Sequence, residues 1–129
     1  MIQTLAKVFE WVFLAIGILG FVPGITSGGS LLGIFEVDTL HNIIHLITGA
    51  AALYLVRGNG ENVRLYFQVF GVIYAIVAVL GFLQGDTVFG LFGVNAADNI
   101  LHLLVAVVAL YAGFGLKEGS AGGGAPAQG

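Results

Sequence analysis

A chain of 129 residues has room for one ordinary domain, yet 58% of it is hydrophobic and 9% charged, against a soluble norm of about 45–50% and 25%. No soluble core of this size hides that much apolar surface, and a mean hydropathy of +1.02 makes a bilayer the solvent for most of the chain. A net charge of −3 and a pI near 5.4 leave no basic patch for nucleic acid, and the absence of cysteine excludes disulfides, thiolate metal sites and thiol nucleophiles.

Apolar stretches long enough to cross about 30 Å of hydrocarbon cover residues 5–22, 39–56, 63–83 and 97–115. They predict four transmembrane helices, because backbone in lipid must satisfy its own hydrogen bonds and none of the four alternates like a barrel strand. Helix breakers separate them: Pro23-Gly24 with the Ser/Gly-rich run 26–30, then Arg57-Gly58-Asn59-Gly60, then Gln84-Gly85-Asp86. Residues 1–117 are thus expected to form one four-helix domain, and the Gly/Ala-rich tail 118–129, with nothing to bury, a disordered cytoplasmic extension.

All 4 basic residues, Lys7, Arg57, Arg64 and Lys117, fall on one side of this layout. That asymmetry predicts a multi-pass protein of the plasma (inner) membrane with both termini cytoplasmic and Glu36, Asp38 and Asp86 facing outward. A cleaved signal peptide is the competing reading of the first segment, but no small-x-small site follows Pro23 and the segment has a counterpart later in the chain.

The counterpart belongs to an internal repeat. Val8-Phe9 matches Val69-Phe70 and Leu19-Gly20-Phe21 matches Leu80-Gly81-Phe82, at a spacing of 70 − 9 = 61. Gly33, Phe35 and Val37 match Gly90, Phe92 and Val94, and Asn42-Ile43-x-His45-Leu46 matches Asn99-Ile100-x-His102-Leu103, at 102 − 45 = 57. The first outer loop absorbs the difference, since insertions cost least in loops. Two helices per repeat bring both halves into the membrane from the same side. The expected fold is therefore all-α, a four-transmembrane-helix bundle of two parallel, tandem helical hairpins at about 5–57 and 63–116.

Asn42, His45, Gly49, Ala52 and Val56 share one face of the second helix, and Asn99, His102, Ala106, Ala109 and Gly113 share the matching face of the fourth. Small residues beside polar ones mark this face as the bundle interior, where side chains hydrogen-bond across helices for about 0.6 kcal/mol and sometimes 1–2. Gly17, Gly20 and Gly24, and Gly71, Ala75, Ala78 and Gly81, give the other two helices weaker versions of it.

His45 and His102 lie about 10 Å inside their outer helix ends, deep enough to need partners. In the structural reading each imidazole bonds Asn99, Asn42 or a neighbouring carbonyl and locks the repeats together. In the chemical reading the two histidines bind a cofactor, haem b or a transition metal, with Asn42 and Asn99 supporting them. His41 and His45 are spaced i, i+4, and the repeat turns that pair into Asp98 and His102. Three histidines and a carboxylate make a ligand set for zinc, iron or manganese. Against it, Asp38 and Asn95 read as N-caps, Asp98 falls where a capping carboxylate belongs, and His41 then lies in the headgroup region. Glu10 is explained by Lys7 one turn before it, and Trp11, Tyr54, Tyr66 and Tyr111 by an interfacial aromatic belt. There is no nucleophile elbow, phosphate loop, His-Glu-x-x-His or dinucleotide fingerprint, so the sequence does not read as an enzyme.

The segments V-D-T-L-H-N-I-I-H-L-I-T-G at 37–49 and V-N-A-A-D-N-I-L-H-L at 94–103, each after a G-x-F segment, resemble the small bacterial four-helix membrane proteins grouped as domain of unknown function 4383. The resemblance covers nearly everything before the tail. It implies four spans in a bacterial membrane, points at Asn42, His45, Asn99 and His102, and brings no assigned activity. Ala106 departs from it by standing where the first half has Gly49. Three functional readings follow. The first is a membrane protein whose Asn/His network is internal glue and which acts by associating with itself or other membrane proteins. The second is a bis-His haem or metal-binding redox protein. The third is a small transporter or proton conductor using the same histidines, which lacks the broken midplane helices and polar pore lining of such proteins.

Overall fold

Each predicted span is one helix in the computed structural model, which describes residues 1–58 and 61–116. Asn59, Gly60, Lys117 and the tail 118–129 lie outside the described residues. The helices are α1 (Ile2–Leu19), α2 (Thr39–Arg57), α3 (Val63–Gln84) and α4 (Ala96–Leu110), the last continuing into a π-helical turn, Tyr111–Gly115. All four are long and apolar enough to cross a membrane. Ile47, Val79, Leu104 and Val107 stay exposed on their outer faces, as lipid contact requires. Phe9, Phe13, Phe67 and Tyr74 fill the centre with Ala52, Ala106 and Ala109.

Side-chain hydrogen bonds set the starts of α2 and α4 and the ends of α1 and of the π turn. Asp38 accepts a hydrogen bond from the His41 amide (2.8 Å), and Asn95 and Asp98 form a reciprocal capping box. The first helix ends at Leu19 rather than at residue 22, because Thr26 Oγ1 bonds the Leu19 carbonyl (2.8 Å) and Asn42 Nδ2 the Gly20 carbonyl (3.0 Å). At the far end the π turn leaves carbonyls over, and Arg64 and Gln68 take them: Arg64 Nη1 and Gln68 Nε2 bond the Gly113 oxygen, and Arg64 Nη2 that of Leu116.

The chain pairs α1 with α2 and α3 with α4 as two close hairpins. Close approach has a local cause: Gly20 packs against the Asn42 amide and Gly81 against that of Asn99, where any Cβ would overlap the side chain. The face drawn through Asn42, His45, Gly49 and Ala52 is buried, as is its partner through Asn99, His102, Ala106, Ala109 and Gly113. Of the weaker faces, Gly24 departs: it lies exposed in the turn beyond α1, at φ +91°.

The α1–α2 and α3–α4 connections carry small antiparallel ladders where the sequence suggested only breakers. β1 (Thr26–Ser27), β2 (Ser30–Leu31) and β3 (Phe35–Glu36) form one, β4 (Thr87–Val88) and β5 (Phe92–Gly93) the other. Their tips are tight turns in which Leu32-Gly33 and Phe89-Gly90 all have positive φ, an arrangement that matches strand twist but strains the bulky first residue. Each loop is fastened to the opposite hairpin: Gly93 N bonds Asp38 (2.8 Å), Glu36 N bonds Asp98 (3.0 Å), and Asn95 Nδ2 bonds the Ile34 oxygen (2.9 Å). These three bonds tie the N-terminal ends of α2 and α4 together, next to the histidines.

Candidate metal centre

Three imidazoles meet beneath those crossed loops. His41 and His45 come from one face of α2, a turn apart, and His102 from α4 of the other hairpin. Ring centroids lie 4.5 Å apart for His41 and His45, 5.5 Å for His41 and His102, and 6.1 Å for His45 and His102. One ligand nitrogen from each falls within 4.8 Å of the other two. All three side chains are at most 4% exposed.

Their hydrogen bonding is unusual for so buried a group. Neither ring nitrogen of His41 or His45, nor Nδ1 of His102, makes a well-formed hydrogen bond, although the Gly93 and Glu36 backbone stands close to the His41 ring. A buried polar group left so typically costs about 1–3 kcal/mol, which proteins normally avoid by pairing. The surroundings are aromatic: tilted ring contacts bring Phe13 to 5.5 Å from His45, Phe92 to 5.0 Å from His41, and Tyr74 to 5.6 Å from His102. Tyr74 is spoken for, sharing a 2.9 Å hydrogen bond with Thr48, whose hydroxyl also bonds the Ile44 carbonyl, while Tyr66 donates to the Thr48 carbonyl.

Several expectations change here. His41 is a full member of the cluster and not a headgroup residue, because Asp38 caps α2 above it and Phe92 closes over its ring. Asp98 stands outside the triad: its Oδ2 accepts from the Asn95 and Glu36 amides and holds the loops instead. The asparagines do not bond the imidazole nitrogens named above. Asn42 reaches back to helix α1, and Asn99 packs on Gly81 in its own hairpin, so each serves its hairpin rather than joining the two. Glu10 pairs with Arg57 of α2 at 3.2 Å rather than with Lys7, since its carboxylate is buried against α2 while Lys7 is exposed. Tyr66 belongs to the core and not to an interfacial belt, packed by Phe9, Phe67 and Phe70; Trp11, Tyr54 and Tyr111 are exposed. Tyr74 and Thr48 escaped the sequence reading. Thr48 stands one turn after His45, a spacing that would have found it, whereas Tyr74 has no such neighbour on α3.

What this arrangement can do is hold a cation through neutral imidazole nitrogen. Tetrahedral ligands at about 2.0–2.1 Å from a metal stand about 3.4 Å from one another, so the rings would close by roughly an ångström or more. No curated protein and no solved structure matches the chain. The family model described as domain of unknown function (DUF4383) matches residues 3–115, a stretch that takes in all four helices and the three histidines, and the chain belongs to that family.

Proposed function

We propose that this chain is a multi-pass protein of a bacterial plasma membrane that binds one transition-metal ion between its hairpins, on His41, His45 and His102. The observation that carries the reading is the convergence of three buried imidazoles, five of whose six ring nitrogens are left without a hydrogen-bond partner. Coordination would satisfy nitrogens that otherwise stay unpaired, and a thiolate-free imidazole set suits zinc, copper, iron or nickel. Three protein ligands leave a fourth position for an exogenous one, the pattern of reactive rather than purely structural zinc sites.

A haem fits these residues less well than an ion. A macrocycle between His45 and His102 would need the space that His41 occupies within 4.5 and 5.5 Å of their rings. The positive-inside pattern of Lys7, Arg57 and Arg64 supports cytoplasmic termini and, with them, a triad near the outer leaflet. A duplicated hairpin is supported by the matched pairs Gly20 with Asn42 and Gly81 with Asn99, and by the paired strained turns at Leu32 and Phe89. Duplication also explains how His102 comes to face His45, with His41 as the one ligand the second half does not repeat.

The test is an equilibrium titration of the detergent-solubilised, chelator-treated protein with Zn²⁺, with bound metal counted by elemental analysis. One ion per chain is expected, with retention falling by tenfold or more in each of His41→Ala, His45→Ala and His102→Ala while Asp98→Asn retains it. Failure of the folded parent to retain any metal would falsify the proposal.

A further inference from the structure

Beside the histidines lies a void that the metal reading leaves unused. A cavity of about 170 Å³ is lined by His41, His45 and His102 together with Tyr74, Val77 and Phe92. Ile73 and Phe89 also line it, and at 42% and 66% exposure they form an apolar rim. Ile73 stands near the middle of α3, so this rim opens toward acyl chains and not toward water. No charged side chain lines the cavity.

Size and lining together select a ligand. An apolar cavity of about 150 Å³ engineered in another protein stays dry and takes up benzene, so this one has room for a single six-membered ring with a small substituent. Its aromatic walls, Tyr74, Phe89 and Phe92, suit a ring, and a charged ligand would lose its hydration with nothing to replace it. The wall exposes no polar atom to the cavity, so an oxygen on that ring would find its partner in the ion that the imidazoles beside it hold.

We propose that this cavity binds one uncharged hydroxylated aromatic ring, a phenol or quinol head group, which enters from the bilayer and places its oxygen at the metal's fourth position. This rests on the three-histidine metal reading above. The ring lies between Val77 and Phe92, its oxygen coordinates as the neutral hydroxyl, and any alkyl substituent leaves past Ile73 and Phe89 into lipid. The same chemistry comes from two sources, a free phenolic ring or the head of a membrane-borne quinol.

The test uses the full chain loaded with Co²⁺ in detergent micelles, with cobalt content measured alongside the visible ligand-field bands. Titration with 4-methylphenol is expected to shift those bands saturably. The shift should weaken at least tenfold in Val77→Phe, which fills the cavity and supplies no ligand, and be missing with 4-hydroxybenzenesulfonate, which carries a charge on the same ring. Tighter binding of 4-decylphenol than of 4-methylphenol identifies the membrane-borne source, and weaker binding the free ring. Cobalt bound in the parent but blind to 4-methylphenol, or responding equally to the sulfonate, overturns the cavity proposal and leaves the metal reading standing. Equal affinity in a folded, cobalt-loaded Val77→Phe does the same. Parent protein that takes up no cobalt overturns both. Should Val77→Phe not fold, the contrast between the two phenols decides alone.

Discussion

Replacing Gly49 by leucine sets two calculable effects against each other. A Cβ at Gly49 would lie 2.7 Å from the Leu14 backbone nitrogen and 2.8 Å from Leu14 Cγ, where ordinary contact starts at 3.4 Å. The nearer neighbour is main chain and cannot swing aside, so α1 and α2 must part by at least 3.4 − 2.7 = 0.7 Å before the rest of the leucine is accommodated. Overpacking of this kind costs about 1–3 kcal/mol, and a leucine lies at the upper end. Helix propensity runs the other way, returning somewhat under about 1 kcal/mol when glycine leaves a helix interior. The clash wins, and Gly49→Leu should lose about 2 kcal/mol. Ala50, the next residue, is exposed, so Ala50→Leu should change stability by less than about 0.5 kcal/mol. The assay is unfolding in mixed micelles by increasing denaturing detergent, followed through the single Trp11 on α1. Equal midpoints for Gly49→Leu and Ala50→Leu would refute the close α1–α2 contact and with it the support that Phe13 lends His45.

Asn42→Ala removes the bond to the Gly20 carbonyl and should cost about 0.6 kcal/mol, at most about 2, in the same unfolding assay. Arg57→Gln strips the buried Glu10 carboxylate of its partner and should destabilise more than Lys7→Gln; the reverse order would restore Lys7 as the partner. Tyr74→Phe breaks the hydrogen bond to Thr48 for about 0.5–1.5 kcal/mol, and because Tyr74 is not a ligand, retained metal per chain should stay at the parent value when counted by elemental analysis.

The four helices were legible because lipid permits little else: long apolar runs punctuated by Pro23, Gly58 and Gly85 leave the backbone one solution. Asp38 and Asn95 were legible as caps because a cap is a local bond, formed within three residues of the side chain that makes it. The meeting of His45 with His102 followed from the repeated motif. The partners of Glu10, Asn42 and Asp98 were not legible, since each lies on another element: Arg57 stands 47 residues from Glu10, Gly20 22 from Asn42 and Glu36 62 from Asp98. Periodicity places a residue on a face but does not say which neighbour the face meets. The headgroup alternative for His41 failed for the same reason: depth counted along α2 alone puts it near the surface, while Phe92 from the far hairpin folds over it, and only the ligand reading of His41 agrees with its place in the cluster. The ladders were hidden because two-residue strands carry no pattern, and Leu32 and Phe89 are poor candidates for left-handed turn positions.

X-ray absorption at the metal edge of the zinc-reconstituted protein counts the ligands of the proposed centre directly. Three imidazole nitrogens at about 2.0–2.1 Å with one exogenous oxygen ligand are expected, falling to two imidazoles in His41→Ala. A spectrum of oxygen ligands alone, or one unchanged when His41 is removed, would contradict the three-histidine centre.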